Sequence, residues 1–283
     1  MRLLSRKHTE ILVKILCIVV TIVVISPLLW IIGKVIYTGL PAWNWNFFTT
    51  IIGPPESSTS GIGPAIEGTF IMNGIACLFG IPLGIFTGIY LAEYAHDSIF
   101  ASVIRTAVES MAGVPSLIMG LFAAALIVEN LNRNQPTALA GSFALGLMII
   151  PLVARATEES MRVVSNDIRE AAIALGIPKW RRTLQIVVGI ASGGIISGAL
   201  LAFARISGET APLLFTAYFN DFWPTGVNQA MASLQVYIYN NALQPYSAAI
   251  ANAWGAALLL ILIVLGINII VRIFIRPKYQ EGF

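Results

Sequence analysis

Apolar residues run along this chain in long unbroken stretches, with none of the period-two alternation that marks a half-buried strand. Six stretches, at about 12–37, 69–92, 109–129, 137–156, 186–208 and 248–273, reach the ~20 helical residues that a bilayer core requires. Barrel strands would be shorter and would alternate. A helix satisfies its own backbone donors and acceptors in hydrocarbon. The pattern therefore predicts an all-α, polytopic membrane protein with six transmembrane helices. Gly80, Gly84 and Gly88 recur at every fourth position of the second stretch, and Gly194 and Gly198 repeat this in the fifth. Small residues at that spacing let helix backbones approach where lipid supplies no hydrophobic drive. Pro82, Pro115 and Pro151 interrupt three spans. Such breaks suit a tightly packed bundle and a moving one alike, and packing is the simpler reading.

Composition agrees. The 283 residues are 57% hydrophobic and 11% charged, against about a quarter charged in soluble domains. A mean hydropathy of +0.81 leaves no room for a large domain outside the membrane. This argues against an ordinary cytosolic enzyme. The net charge of +3 is too small to imply nucleic acid. Cys17 and Cys77 sit in apolar runs without metal or disulfide spacing, and His8 and His96 are isolated. The basic start, Met1 to Lys7, precedes an apolar run too long for a signal peptide, with no small-x-small cleavage pattern. It reads as a retained first membrane helix.

Placement of the basic residues carries more than their number. With the N-terminus inside, fourteen fall on the cytoplasmic side: Arg2, Arg6, Lys7, Lys14, Arg105, Arg155, Arg162, Arg169, Lys179, Arg181, Arg182, Arg272, Arg276 and Lys278. Lys34 and Arg133 fall outside, and Arg205 lies within the fifth span. The positive-inside rule then puts both termini in the cytoplasm. The chain divides into 1–68, a tail, first helix and outer loop, and 69–283, a core of five transmembrane helices that includes a cytoplasmic loop at 157–185. Two outer loops, 38–66 and 209–247, are rich in aromatics such as Trp43, Trp45, Phe47, Phe48, Phe222, Trp223, Tyr237 and Tyr239. These suit a membrane–water interface, a partner, or the cover of a cavity.

Residues 155–185 form the substantial cytoplasmic segment. Val164, Ile168, Ala172 and Leu175 mark one helical face. Gly176 supplies a helix stop, and Pro178 suits the first turn of a second helix. The small apolar face is expected to fit a groove on a soluble partner. A DNA-reading helix-turn-helix is the competing shape, and the flanking membrane spans argue against it.

Glu170-Ala171-Ala172, then Gly176, then Ile186 ten positions on, resembles the EAA loop of ABC-importer permeases. The family pattern often ends Ile-x-Leu-Pro, where this chain has Ile186-Val-Val-Gly189. The run from Ala204 through Arg205, Gly208, Glu209, Thr210 and Ala211-Pro-Leu-Leu-Phe-Thr216 is similar to the end of the fifth span in phosphate-importing members. Arg169 to Trp180, Gly61 to Thr69 and Gln235 to Asn240 fit the same group. The resemblance covers nearly the whole chain from about residue 61. It implies a type I ABC-importer permease fold and a subunit, not an enzyme. A phosphate-binding protein would deliver phosphate, a sister permease would complete a heterodimeric channel, and a dimeric ATPase would dock on the loop. Glu170, Ala171, Ala172 and Gly176 would then couple to that ATPase. ATP and Mg2+ would be bound there, since this chain has no Gly-x-x-x-x-Gly-Lys-Ser/Thr loop and implies no cofactor of its own.

Arg205 and Glu209 are four apart, which predicts a pair on one helix face near the outer end of the fifth span. A charge inside a span is a functional hypothesis by default. An arginine fork holds phosphate oxygens bidentately and stays charged at any working pH. Arg205, Glu209 and the neighbouring hydroxyl of Thr210 are the candidate substrate pathway, with Arg155 at the inner end of the fourth span as a further contact. The plain alternatives are a structural ion pair and a positive-inside anchor. At the level of function, the alternatives are another oxyanion importer (sulfate, molybdate), a stand-alone secondary transporter, and a non-transporting membrane anchor.

Overall fold

The computed structural model describes residues 6–57, 60–95, 98–130 and 134–274. Arg2, Arg133, Arg276 and Lys278 of the charge pattern, and His96, lie outside the described residues. Among the described residues all regular structure is helical. The order is α1 (Arg6–Gly39), α2 (Trp45–Thr49), α3 (Gly63–Ile89) with a π-helical turn at Tyr90–Tyr94, α4 (Ile99–Gly113), and α5 (Ser116–Ala123) with a π-helical turn at Ala124–Glu129. Then come α6 (Ala138–Arg162), α7 (Asn166–Ala174), α8 (Lys179–Arg181), a π-helical turn at Arg182–Val187, α9 (Val188–Ile206), α10 (Ala211–Thr216), α11 (Leu234–Ala242) and α12 (Ser247–Phe274).

Five continuous helical segments are long and apolar enough to cross a membrane: Thr9–Ala42, Gly63–Tyr94, Ala138–Arg162, Lys179–Ile206 and Ser247–Ile273. The second begins at Gly63, ahead of the expected residue 69, because Pro64 suits a first helical turn. The expected span at 109–129 is of a different kind. There α4 and Ser116–Glu129 meet at a bend of 106°, the geometry of a broken span or a re-entrant loop, in place of a sixth straight helix. Pro115 explains the break. Its ring disfavours helix at the preceding residue, and Val114 is extended at φ −72° and ψ 131°. Residues 109–113 thus end α4, and Ser116–Glu129 extends only about 21 Å at 1.5 Å per residue.

α6 is the centre of the bundle. α3 lies along one side of it, with Gly80, Gly84 and Gly88 at the contact. A Cβ on Gly84 would sit 2.7 Å from the Cβ of Val153 and 2.9 Å from the carbonyl oxygen of Ile150. On another side, Gly194 and Gly198 of α9 face Ser160 and Ala156 of α6. The glycine spacing is therefore spent on close backbone approach. Met72, Leu145, Ile149, Val153, Ile206 and Leu213 fill the core between these helices.

α1 behaves oppositely. Its apolar side chains from Ile11 to Ile31 are mostly exposed, as suits a helix surrounded by lipid. It meets the bundle near Gly39, against Trp254 of α12. The outer-loop aromatics divide. Phe47 and Tyr237 are fully buried in a second core with Ile62 and Leu234, and the indole of Trp43 donates to the Gly255 carbonyl at 3.0 Å. Trp45 is 80% exposed, as an interfacial or partner-facing aromatic would be. The two ends of the bundle are thus distinct: one carries the 163–187 loop, the other α2, α10 and α11.

Candidate functional site

At the loop end, Ser165 caps α7 by accepting from the Asp167 N–H at 3.1 Å. The helix closes where Gly176 N–H donates to the Ile173 carbonyl at 2.9 Å and Ile177 N–H to the Ala172 carbonyl at 3.1 Å. Gly176 takes φ +71°, the left-handed region, and Pro178 then starts α8. The expected helix, glycine turn and second helix are all present. Nothing lies within 4 Å of a Cβ added to Gly176, so the backbone alone selects glycine. Gly176→Ala is expected to lower stability by about 1 kcal/mol, read as a drop in the thermal unfolding midpoint of the purified chain in detergent.

The apolar face of α7 is turned the other way from the sequence expectation. Val164 and Ala172 are buried, and Val164 packs with Met161, Val187 and Ala191 while Ile168 lies against the same cluster. This face seats the helix on the bundle. Periodicity identifies an apolar face but not what covers it, and here the chain's own helices do. Of the four face residues, Leu175 alone projects, at 79% exposed. Glu170, Ala171, Ile173, Gly176 and Trp180 are exposed with it. Glu170, Ala171 and Gly176 therefore lie on the free surface of the loop, whereas Ala172 is buried beneath it.

Two contacts that the sequence did not single out fix this loop. Arg169 Nε donates to Glu93 Oε1 at 2.9 Å, and its Nη2 donates to the Met161 carbonyl at 2.8 Å. Its Nη1 donates to the Val164 carbonyl. Glu93 is 4% exposed and Arg169 17%. On the other side of the glycine turn, Lys179 Nζ lies 4.8 Å from the ring centroid of Tyr94. Both partners belong to the π-helical turn that ends the α3 span. The available signal was a lone acid at the end of an apolar run. The pairing itself joins residues 76 positions apart.

The Arg205–Glu209 pair is present but is built differently. α9 ends at Ile206, so Glu209 lies beyond the helix rather than on its face. The turn brings Arg205 Nε to 3.8 Å from Glu209 Oε1. Gly208 N–H donates to the Arg205 carbonyl and Glu209 N–H to the Ile206 carbonyl, each at 3.1 Å. Ser207, between them, is held from two other helices. Asn73 Nδ2 of α3 donates to its hydroxyl at 3.3 Å, and Gln235 Nε2 of α11 donates to its carbonyl at 2.7 Å. Thr210 follows at the start of α10, where its carbonyl accepts from Leu213 N–H at 3.1 Å. Glu209 is 19% exposed and Arg205 57%. The result is a guanidinium on a fixed turn, loosely paired and open to an anion.

Arg155 is not brought to this site. It lies towards the loop end of α6, exposed, with Nε 3.7 Å from Glu159 Oε1. Nearby, Arg105 and Arg162 share Glu158 Oε1 at 3.0 and 2.6 Å. Among the described residues no group of His, Cys, Asp or Glu is arranged to hold a metal ion.

Residues 80–276 match the family described as binding-protein-dependent transport system inner membrane component. The phosphate transport system permease protein PstA of Haemophilus influenzae is 41% identical over 251 residues, covering 89% of this chain and 88% of that protein. The PstA 1 protein of Mycobacterium tuberculosis strain H37Rv is 38% identical over 254 residues, covering 88% and 81%. Two solved structures share the fold. A bacterial alginate ABC transporter in complex with its periplasmic protein superposes with a TM-score of 0.65 at 15% identity, over 98% of each chain. The inward-facing MetNI methionine ABC transporter superposes with a TM-score of 0.61 at 18% identity, over 75% of this chain and 95% of that one. The sequence relatives are named as transport permeases, and the solved structures share the helical fold. The chain belongs to the binding-protein-dependent transport system inner membrane components, in the group of phosphate transport system permeases typified by PstA.

Proposed function

We propose that this chain, with a sister permease, forms the pathway of an ATP-driven inorganic phosphate importer. Its loop at 157–185 is the docking point for a cytoplasmic ATPase dimer, and a phosphate-binding protein delivers substrate at the opposite end. ATP and Mg2+ are bound by the ATPase partner. The orientation follows from the basic residues, which puts the loop end and both termini on the cytoplasmic side. The observation that carries this reading is the exposed surface of α7 and its glycine turn. Glu170, Ala171, Leu175 and Gly176 project from a helix whose other face is packed onto the bundle. Ala172 holds that helix in register. A displacement applied there moves the helices beneath it.

At the outer end, Arg205 receives the phosphate oxygens, Glu209 restrains the guanidinium between passages, and the Thr210 hydroxyl is a neighbouring donor. The 3.8 Å pairing supports this role, because a tighter pair would compete more strongly with an anion. Arg155 stands apart at the inner end, as a later contact for the anion on its way out.

The test is reconstitution of the whole complex in vesicles with the binding protein. Phosphate-loaded binding protein is expected to stimulate ATP hydrolysis and phosphate uptake together. Purification without any associated ATPase overturns the importer reading. Stimulation by sulfate in place of phosphate overturns the substrate.

A further inference from the structure

We infer that Glu93 and Tyr94 are positioning residues that grip the coupling loop, and that α3 transmits the loop's movement to the turn bearing Arg205 and Glu209. The inference rests on the proposed docking of an ATPase at this loop, and deepens it.

Four observations support it. First, the π-helical turn Tyr90–Tyr94 holds the loop on both sides of Gly176. Glu93 takes Arg169 before the turn, and Tyr94 takes Lys179 after it. Secondly, the first of these contacts is stiff. Arg169 is a fork with Glu93 on one branch and the Met161 and Val164 carbonyls on the others. A buried pair survives only when its geometry is good and its remaining donors are satisfied, and both conditions hold. Thirdly, α3 and its π-helical turn form one helical segment that stays helical through Pro82 and runs from this grip to Asn73, about 30 Å away at 1.5 Å per residue. Its contact with α6 through Gly80, Gly84 and Gly88 leaves little slack. Fourthly, Asn73 donates to the hydroxyl of Ser207. That residue closes α9 between Arg205 and Glu209.

One continuous helical segment therefore touches the loop at one end and the anion turn at the other. Coupling between distant sites needs such a contiguous physical connection. The connection requires no change in the loop's internal structure. When the ATPase shifts α7, Arg169 carries Glu93 with it, α3 slides along α6, and Asn73 moves Ser207. The guanidinium of Arg205 is then re-aimed relative to Glu209. If Glu93 let go, ATP would still be hydrolysed in the partner, but the stroke would reach the anion site weakly.

The ratio of ATP hydrolysed to phosphate imported tests this, measured on the reconstituted complex with loaded binding protein. Loss of correctly assembled complex lowers both rates together and leaves the ratio unchanged, so the ratio separates coupling from mere stability. Glu93→Gln is expected to raise it about five-fold or more, the lower range of allosteric coupling between sites. Arg169→Lys, which keeps the charge but not the fork, is expected to fall between. Should Glu93→Gln prevent assembly, the partly exposed second contact decides. Tyr94→Leu is expected to raise the ratio about two-fold, the scale of an exposed cation–π contact, while Tyr94→Phe leaves it at the parental value. A parental ratio in Glu93→Gln, or in Tyr94→Leu where that variant decides, overturns the inference. Failure of the underlying functional reading shows separately, as absence of stimulated ATP hydrolysis in the unsubstituted complex.

Discussion

Arg205→Gln is expected to reduce phosphate uptake by about 10- to 100-fold while leaving the amount of permease in the membrane unchanged. The size follows from removing charge-assisted hydrogen bonds to an anion, worth about 1.5–3 kcal/mol each. Glutamine is shorter and keeps one donor group, but loses the charge and the second prong. Arg205→Lys is expected to be intermediate, since it restores a point charge without the planar fork. The stability half of the expectation follows from exposure. The guanidinium is 57% exposed and 3.8 Å from its partner, and exposed pairs contribute only ~0–1 kcal/mol. The turn itself is held by Asn73 and Gln235 through Ser207, without help from the Arg205 side chain. Uptake of radiolabelled phosphate in cells lacking other phosphate carriers, normalised to subunit level, is the measurement. Normal uptake at normal level would mean that the pair is structural.

The second large effect is on the fold. Gly84→Leu is expected to remove most correctly folded permease. Even the first carbon of the new side chain meets Val153 and the Ile150 carbonyl at 2.7 and 2.9 Å, so α3 and α6 must separate. Overpacking of this sort costs about 1–3 kcal/mol, and the contact runs along the centre of the bundle. Gly33→Leu is the matched control. Nothing lies within 4 Å of a Cβ at Gly33, and leucine is a better helix former than glycine by about 0.5–1 kcal/mol. Thermal unfolding in detergent reads both variants. Equal midpoints for the two would refute the claim that the glycine row exists for close approach.

The glycine row also shows how far sequence spacing reaches. Residues at every fourth position must share a helix face whatever the fold, so Gly80, Gly84 and Gly88 were legible as a contact strip. That α6 is the helix opposite them was not. The same limit applies to Pro115. Its effect on Val114 is local, so a break there was legible. The direction of the bend, which turns α4 away from the crossing segment, depends on what each half packs against. For Arg205 and Glu209 the spacing predicted proximity correctly but for the wrong reason. Helix α9 stops at Ile206, held there by Asn73 and Gln235, and the pair forms across a turn instead.

What the sequence determined by itself is what composition, period and local chemistry dictate. These are a helical membrane protein, the basic loop with its capped helix and left-handed glycine, and the family to which the loop spacing belongs. The tertiary structure alone decided which way the apolar face of α7 points, and that Ala172 lies under the loop while Leu175 lies on it. It also decided that Arg169 serves Glu93 rather than only the positive-inside rule. The physical reason is the same in each case. Backbone preference and hydrophobic period are properties of neighbours along the chain, whereas the partner of a buried charge is chosen by helices brought together from far apart in the sequence.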